Sequence, residues 1–179
     1  MRIKHVNYWK VAFTVFLAWY FGSYALGDPS HVLANWNFVD NVDLVIHEAG
    51  HIIFMPFGEF LHVLGGSLTQ VLVPVIFAAY FFMRRQWYSA SVMLFWIGEN
   101  VLSVATYMGD SIVQQLPLLG GDGVIHDWNW LLTDTGLLKY TDTLARLTYD
   151  VGFLAILAAI VLCLWLSVEK PEKVRPIDL

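Results

Sequence analysis

The sequence has a single cysteine among its 179 residues, and this scarcity excludes a fold held by disulfide bonds. Cys163 has no partner within the chain, so it forms no internal cross-link. It falls in an apolar stretch near the C-terminus, where a thiol is typically a small packing residue. The fold must therefore depend on packing rather than on cross-links.

Charged residues are also scarce, at 14% of the chain, whereas hydrophobic residues make up 58%. This ratio lies outside the range of ordinary soluble domains and is typical of a protein embedded in a lipid bilayer. No basic stripe with interleaved aromatic residues occurs, so we expect no nucleic acid partner. Because no internal repeat, low-complexity tract or linker divides the chain, we predict one membrane-embedded domain over 1–179.

Four apolar runs are long enough to cross a bilayer as helices. They lie at about 8–26, 67–83, 89–108 and 149–167. The fold class predicted from them is an all-α integral membrane protein with about four transmembrane helices. The first run is rich in Trp and Tyr and lacks a convincing cleavage site, so it is interpreted as a retained anchor.

A shorter apolar segment at about 42–56 is interrupted by polar side chains, which makes a full crossing costly. The positive-inside rule bears on whether it crosses. If it does not, eight of the ten Lys and Arg residues fall on one side; if it does, they divide five and five. A short, re-entrant helix is therefore favoured. Both termini are then cytoplasmic and 109–148 is an external loop, in a protein of the inner or plasma membrane.

The segment His47-Glu48-Ala49-Gly50-His51 matches the His-Glu-x-x-His pattern of zinc enzymes. Residues four apart share one face of a helix, so His47 and His51 can converge on one ion while Glu48 projects beside it. A catalytic zinc site normally has a third protein ligand and leaves its fourth position to water, whose pKa falls to about 7. Glu48 would be the general base that takes the proton of that water.

Three places could supply the third ligand. Asp110 is the first choice, because it ends an apolar run that holds further buried polar residues of the kind membranes tolerate mainly for function or pairing. His126 is chemically the best zinc ligand, and Asp127 could then orient an imidazole as an acceptor, or the two could cap a helix. Asp122 lies in a Gly-rich turn, where aspartate is common for backbone reasons. The choice among Asp110, His126 and Asp122 stays open at this point.

The pentad on a membrane-embedded helix, followed by Gly65-Gly66-Ser67-Leu68-Thr69, resembles the core of the site-2 protease type of intramembrane zinc metallopeptidase. The resemblance covers about residues 43–75. It implies zinc bound by His47 and His51, Glu48 as catalytic base, and a peptide or membrane-protein substrate. The family's third ligand is an aspartate, usually in an Asn-Pro-Asp-Gly or Leu-Asp-Gly setting, and this sequence departs from that pattern. Family members generally hold the metal toward the cytoplasm, whereas the charge count here favours an external site.

Two other functions compete with hydrolysis. In the first, the chain is a non-catalytic membrane protein or complex subunit whose histidines bind a structural metal or a haem, and Glu48 is dispensable. In the second, it is a di-iron oxidase or desaturase, but six histidines fall short of the clusters that such sites use. His62 is expected to be an interfacial or hydrogen-bonded residue, because Pro56 and Gly58 separate it from the pentad.

Overall fold

The computed structural model describes residues 5–26, 38–116 and 125–169. Most of these residues are helical, in six helices: α1 Tyr8–Leu26, α2 Phe38–Phe54, α3 Glu59–Met83, α4 Trp87–Gly109, α5 Asp127–Asp134 and α6 Thr141–Leu166. Turns of 3-10 helix at Met55–Phe57 and Leu138–Tyr140 precede α3 and α6. Strand β1, His5–Val6, pairs antiparallel with strand β2, Val168–Glu169. This pairing brings the two ends of the described chain together.

Within the described ranges, three helical segments are long and apolar enough to cross a membrane: Glu59–Met83, Trp87–Gly109 and Leu138–Leu166. The prediction of an all-α membrane architecture is thus confirmed in its coarse form, whereas four transmembrane helices are not confirmed. The first predicted run, 8–26, forms a helix with the predicted ends, α1. It is not among the three, because Lys10 and its tyrosines and tryptophans lower its hydropathy.

The observed helices extend beyond several predicted bounds. The run predicted at 67–83 belongs to a helix that begins at Glu59, and the run predicted at 149–167 to one that begins at Thr141. The motif helix, predicted at 42–56, is α2. The segment 109–148, predicted as an external loop, contains α5 and the first two turns of α6 in its described part.

The junction between α2 and α3 reverses the chain within a few residues. Pro56 lacks a backbone N–H and cannot continue an α-helix, so the chain passes into a 3-10 turn. Gly58 follows with φ of 99°, a conformation that only glycine adopts without strain, and α3 begins at the next residue. The sharp turn lays α3 antiparallel against α2.

Helix α1 runs parallel to the first half of α4. Thr14 hydrogen-bonds to Tyr88 at 3.0 Å, and the rings of Phe21 and Phe95 stack with centroids 5.7 Å apart. Phe95 is fully buried in the core cluster that α1, α4 and α6 share. Both contacts join residues that advance together along the two helices, so the helices point the same way.

Helix α2 runs parallel to the second half of α4. Trp96 Nε1 donates to Asp43 at 2.8 Å, and one turn further along α2 the ring of His47 lies 6.0 Å from that of Tyr107. Helices α1, α2 and α4 therefore share one direction. Gly98 and Gly152 allow α4 and α6 to cross closely in opposite directions, since a Cβ on either glycine would lie 2.8 Å from the carbonyl oxygen of the other.

Candidate metal centre

Two imidazoles of α2 and one carboxylate of α5 meet at the end of the bundle away from strands β1 and β2. Asp127 Oδ2 lies 3.1 Å from His47 Nε2 and 3.3 Å from His51 Nε2. One ligand atom from each residue lies within 4.8 Å of those of the other two, which is close enough for all three to hold one metal ion. The two histidines are the pair that the helical spacing predicts, whereas the carboxylate comes from 80 residues beyond His47.

The other nitrogen of each imidazole is fixed by an acceptor. His51 Nδ1 lies 2.8 Å from the backbone carbonyl oxygen of His62, which has no hydrogen to give, so Nδ1 carries the proton and donates. His47 Nδ1 donates in the same way to Gln70 Oε1 at 3.1 Å. Both neutral imidazoles thus keep a lone pair on Nε2. Metal-binding histidines are typically oriented by an acceptor of this kind.

The three convergent atoms consequently present lone pairs to one another, and this arrangement requires a cation. A proton satisfies it in part, because the hydrogen bond to Asp127 raises the pKa of His51 to about 9, with smaller contributions from the His62 carbonyl and the charge of Glu48. Burial alone would raise the pKa of Asp127, but its hydrogen bonds with both histidines lower it. A divalent metal would satisfy all three atoms at once, and two imidazoles with one carboxylate form a donor set that suits zinc.

Gly66 of α3 forms the wall behind the two nitrogen atoms. A Cβ at this position would lie 2.5 Å from His47 Nε2 and 2.7 Å from His51 Nε2, so any side chain would displace the imidazoles. The adjacent Gly65 packs its backbone against Gly50 inside the pentad, and neither position has room for a Cβ. The glycine pair therefore lets α3 approach the motif closely enough to enclose the metal-binding atoms.

Asp127 is held at the site by several contacts of α5. His126 caps this helix, since its Nδ1 accepts the backbone N–H of Asn129 at 3.3 Å, and Asp127 is the first helical residue. The backbone N–H of Asp127 donates to the hydroxyl of Tyr107 at 3.1 Å. Trp128 Nε1 donates to a serine of α3 at 3.1 Å, which ties α5 to the same helix that carries Gly66.

The predicted third ligands lie beside this cluster. His126 Nε2 faces Asp110 Oδ2 at 3.4 Å rather than the pentad, and the whole imidazole is buried. Burial lowers the pKa of His126, which favours its neutral form. Asp110 also accepts the backbone N–H groups of Gln115 and Leu116, at 2.9 and 3.0 Å. Asp122, the remaining candidate, lies outside the described residues.

Sequence reasoning weighed Asp127 as an acceptor that orients an imidazole, not as the third ligand. The sequence feature that could have identified Asp127 is its position directly after His126 at the start of a helix. Neighbouring helical residues point about 100° apart, so the two side chains reach different partners. Gln70 gave no local signal as part of the site, and Gly66 was marked only by the resemblance of its glycine pair to the family motif. Their roles arise only when α3 packs on the pentad.

Glu48 lies on the exposed side of α2, next to His47 in sequence. Its charge contributes to the raised pKa of His51, which places it within electrostatic reach of the cluster. An exposed carboxylate with this influence on His51 is able to exchange a proton with a group bound at the centre.

A second polar cluster fixes the motif helix against α4. Asp43, one turn before His47, accepts hydrogen bonds from Trp96 Nε1 at 2.8 Å and from Asn100 Nδ2 at 3.2 Å. Asn100 also donates to Glu99 at 3.2 Å, and all three polar residues Asp43, Glu99 and Asn100 are buried. The intramembrane polar residues noted in the sequence thus pair with one another and set the register of α2.

The chain matches no protein-family model, no curated protein and no solved structure. The function inferred for it therefore depends on the geometry of this site and on the motif.

Proposed function

We propose that the protein is a membrane-embedded, zinc-dependent metallopeptidase of the site-2 protease type, with His47, His51 and Asp127 as the metal ligands. The observation that supports it most directly is the convergence of two imidazole Nε2 atoms and one carboxylate oxygen, with both Nδ1 hydrogens already given to other acceptors. The donor set resembles that of zinc hydrolases, in which two histidines and one carboxylate hold the metal.

A zinc ion bound here would polarise the carbonyl of a peptide bond and acidify a water molecule. Glu48 accepts the proton of the attacking water and returns it to the nitrogen of the leaving amine. Gln70 and His62 keep the imidazoles in the tautomer that leaves Nε2 free. Asp110 and His126 act through Asp127, since they anchor the start of the helix that carries it.

The membrane orientation follows from helix directions and charge. Helices α1 and α2 point the same way and lie beside successive halves of α4, so together they cross the length of the bundle once. Helices α3, α4 and α6 each cross it once more, which makes four crossings. An even number of crossings returns the chain to the side on which it starts, which agrees with the pairing of β1 and β2. Lys10, Arg84 and Arg85 lie at the end near these strands, whereas Lys139 and Arg146 lie at the end that holds the metal centre. By the positive-inside rule, both termini face the cytoplasm and the site opens toward the outer face.

The substrate class in this proposal is a peptide or a membrane protein. A hydrolytic site near one end of a bilayer-spanning bundle reaches peptide bonds at or just inside the membrane surface. Water reaches this depth only where protein lines a hydrated cavity, and the exposed carboxylate of Glu48 marks the side of α2 on which that cavity opens.

The alternative is a non-catalytic membrane protein or complex subunit in which the same three residues hold a structural metal. The burial of His47 and Asp127 agrees with it, since a structural site has no need of access for a substrate. A haem fits the geometry poorly. Asp127 occupies the space that both Nε2 atoms face, and Gly66 closes it from behind, so no porphyrin fits between the imidazoles.

Metal content by mass spectrometry of the detergent-purified protein tests the proposal. We expect about one zinc per chain in the wild type. Zinc should be lost in His51→Ala and in Asp127→Ala, and retained in the matched control Asp134→Ala, which removes an exposed aspartate from the other end of α5. Retention of zinc in Asp127→Ala with loss in Asp110→Ala or His126→Ala would instead place the third ligand on one of those residues.

Glu48→Gln separates the two functions. A hydrolase keeps its zinc in this variant and loses turnover, so membrane proteins that are shortened in cells with the wild type stay intact in cells with the variant. Identical membrane proteomes in the two strains, at equal zinc content, would favour the structural metal. Stoichiometric iron in place of zinc would contradict the peptidase, because a two-histidine, one-carboxylate iron centre is typical of oxygenases.

A further inference from the structure

Tyr107 stands between the metal centre and the pair formed by His126 and Asp110. It lies near the C-terminal end of α4, with its ring centroid 4.3 Å from that of His126 and 6.0 Å from that of His47. Two imidazoles thus fix the ring from different sides. The phenol group reaches the start of α5, where its oxygen accepts the backbone N–H of Asp127 at 3.1 Å.

The hydrogen of this hydroxyl is available. A tyrosine hydroxyl can accept and donate at the same time. The oxygen of the Tyr107 hydroxyl accepts the backbone N–H of Asp127, and no acceptor in the described part of the chain takes the hydroxyl hydrogen. A half-buried phenol normally finds an acceptor, so the hydrogen is expected to point to a group that joins the site.

Several other donors around the cluster are already engaged. Four of them give their hydrogens to protein oxygens: His47 Nδ1 to Gln70, His51 Nδ1 to His62, Trp128 Nε1 to Ser67 and Asn129 Nδ2 to Ser111. His126 Nδ1 accepts from Asn129, so its hydrogen is on Nε2, which lies 3.4 Å from Asp110 Oδ2 without forming a hydrogen bond. The buried Thr69 hydroxyl and His126 Nε2 also lack a hydrogen-bond partner in the described part of the chain, but the phenol of Tyr107 is the group that bonds to the backbone of Asp127 and still has a hydrogen to offer.

We infer that Tyr107 is a catalytic residue whose O–H stabilises the oxygen of the scissile carbonyl; this inference rests on the proposed hydrolase function. When the water oxygen bonds to the carbonyl carbon, the π-electron pair of the carbonyl moves to its oxygen, and the proton of the water passes to Glu48. Tyr107 keeps its own proton and donates a hydrogen bond to the developing negative charge. One such donor contributes on the order of 100-fold to 1,000-fold in kcat.

The test uses Tyr107→Phe, which keeps the ring between the two imidazoles and removes only the hydroxyl. The purified protein is loaded with Co²⁺, whose visible absorption reports its ligands, and titrated with acetohydroxamate. This probe binds a metal through two oxygens, one of them a carbonyl oxygen. We expect Tyr107→Phe to bind cobalt as the wild type does and to bind acetohydroxamate about tenfold more weakly, the effect of about one hydrogen bond to a charged group. Tyr140→Phe is the matched control, because it removes the hydroxyl of an exposed tyrosine outside the site and should change neither constant.

Each other outcome is decisive. Unchanged acetohydroxamate affinity in Tyr107→Phe would overturn the inference. So would weaker cobalt binding with unchanged acetohydroxamate affinity, because the hydroxyl would then act only by holding the backbone of Asp127. A wild-type cobalt protein whose spectrum does not respond to acetohydroxamate would overturn it as well, since the site would not admit an oxygen beside Tyr107. Failure of the wild type to take up cobalt would contradict the metal centre itself.

Discussion

His51 and His62 exchange two hydrogen bonds across the junction of α2 and α3: the Nδ1–H of each imidazole donates to the backbone carbonyl oxygen of the other residue, at 2.8 Å in both directions. One bond of the pair sets the tautomer of His51, a proposed metal ligand. The other ties the last turn of α2 to the first turn of α3, where carbonyl groups at a helix end lack partners within the helix. His62 therefore supports the metal centre without reaching the metal, which explains its spacing of eleven residues from the pentad.

Replacing His62 with Ala removes the donor to the His51 carbonyl and keeps the backbone acceptor for His51 Nδ1. We expect zinc affinity to fall about 10-fold to 100-fold, as for other partners that orient metal ligands. Competition with a chelator of known affinity measures it. His5→Ala, which removes the exposed histidine of β1, is the control. Equal affinities in the two variants would show that the reciprocal pair does not support the site.

Gly66→Ala should disrupt the metal centre while most of the fold remains. The new methyl group would lie 2.5 Å from His47 Nε2 and 2.7 Å from His51 Nε2, so both imidazoles must shift. An overpacking cost of about 1–3 kcal/mol corresponds to a loss of zinc affinity on the order of 10-fold to 100-fold. The same chelator competition measures it.

Gly22→Ala is the matched control for this substitution. Gly22 is also a helical glycine, but a Cβ there would meet no atom within 4 Å. We expect unchanged zinc affinity and a stability gain of about 0.5–1 kcal/mol, since alanine loses less backbone entropy in a helix. If Gly66→Ala bound zinc as tightly as Gly22→Ala, the described position of α3 against the pentad would be wrong.

Local signals in the sequence predicted much of the fold and half of the site. Hydropathy located the helices, because a bilayer imposes long apolar runs, and the four-residue spacing placed His47 and His51 on one face. Helix ends such as Glu59 were predicted less well, because the helix extends beyond its apolar part into the site.

The proposed third ligand, Asp127, depends on a contact over 80 residues, and no local pattern determines that distance. His126 and Asp127 are adjacent, so the sequence identified the right place but not which side chain faces the pentad. The start of α5 decides it: His126 turns back to cap the helix and to meet Asp110, and Asp127 projects to the histidines. The close approach of α3 at Gly66 is likewise a result of helix packing, and the sequence marks it only by the glycine pair that follows the pentad.

Trp96→Phe tests the polar cluster that fixes α2 against α4. The substitution removes the indole N–H that donates to Asp43 at 2.8 Å and leaves a buried carboxylate oxygen without this partner. We expect a loss of about 1–3 kcal/mol in the free energy of unfolding, measured by denaturation in detergent. Trp165→Phe changes a tryptophan that is 70% exposed and should have little effect. A similar small effect in both variants would argue against a structural role for the Asp43 cluster.

Stability should depend on pH in opposite ways with and without zinc. In the metal-free protein, the hydrogen bond to Asp127 raises the pKa of His51 to about 9, above its ordinary value of about 6.5. The stabilisation from protonated His51 is therefore fully present below about pH 6.5 and is lost as the pH rises through about 9. Zinc requires the deprotonated nitrogen, so its affinity should increase over the same interval.

The difference in Tm between zinc-loaded and zinc-free protein should thus grow from pH 6.5 to 9. Thermal unfolding in detergent at a series of pH values measures it. Asp127→Asn removes the charge that holds the proton on His51, so the zinc-free Tm of this variant should change less over the interval, and zinc should raise its Tm little at any pH. A wild-type zinc effect that is constant with pH would mean that no proton leaves His51 when the metal binds, and this would contradict Nε2 of His51 as a metal ligand.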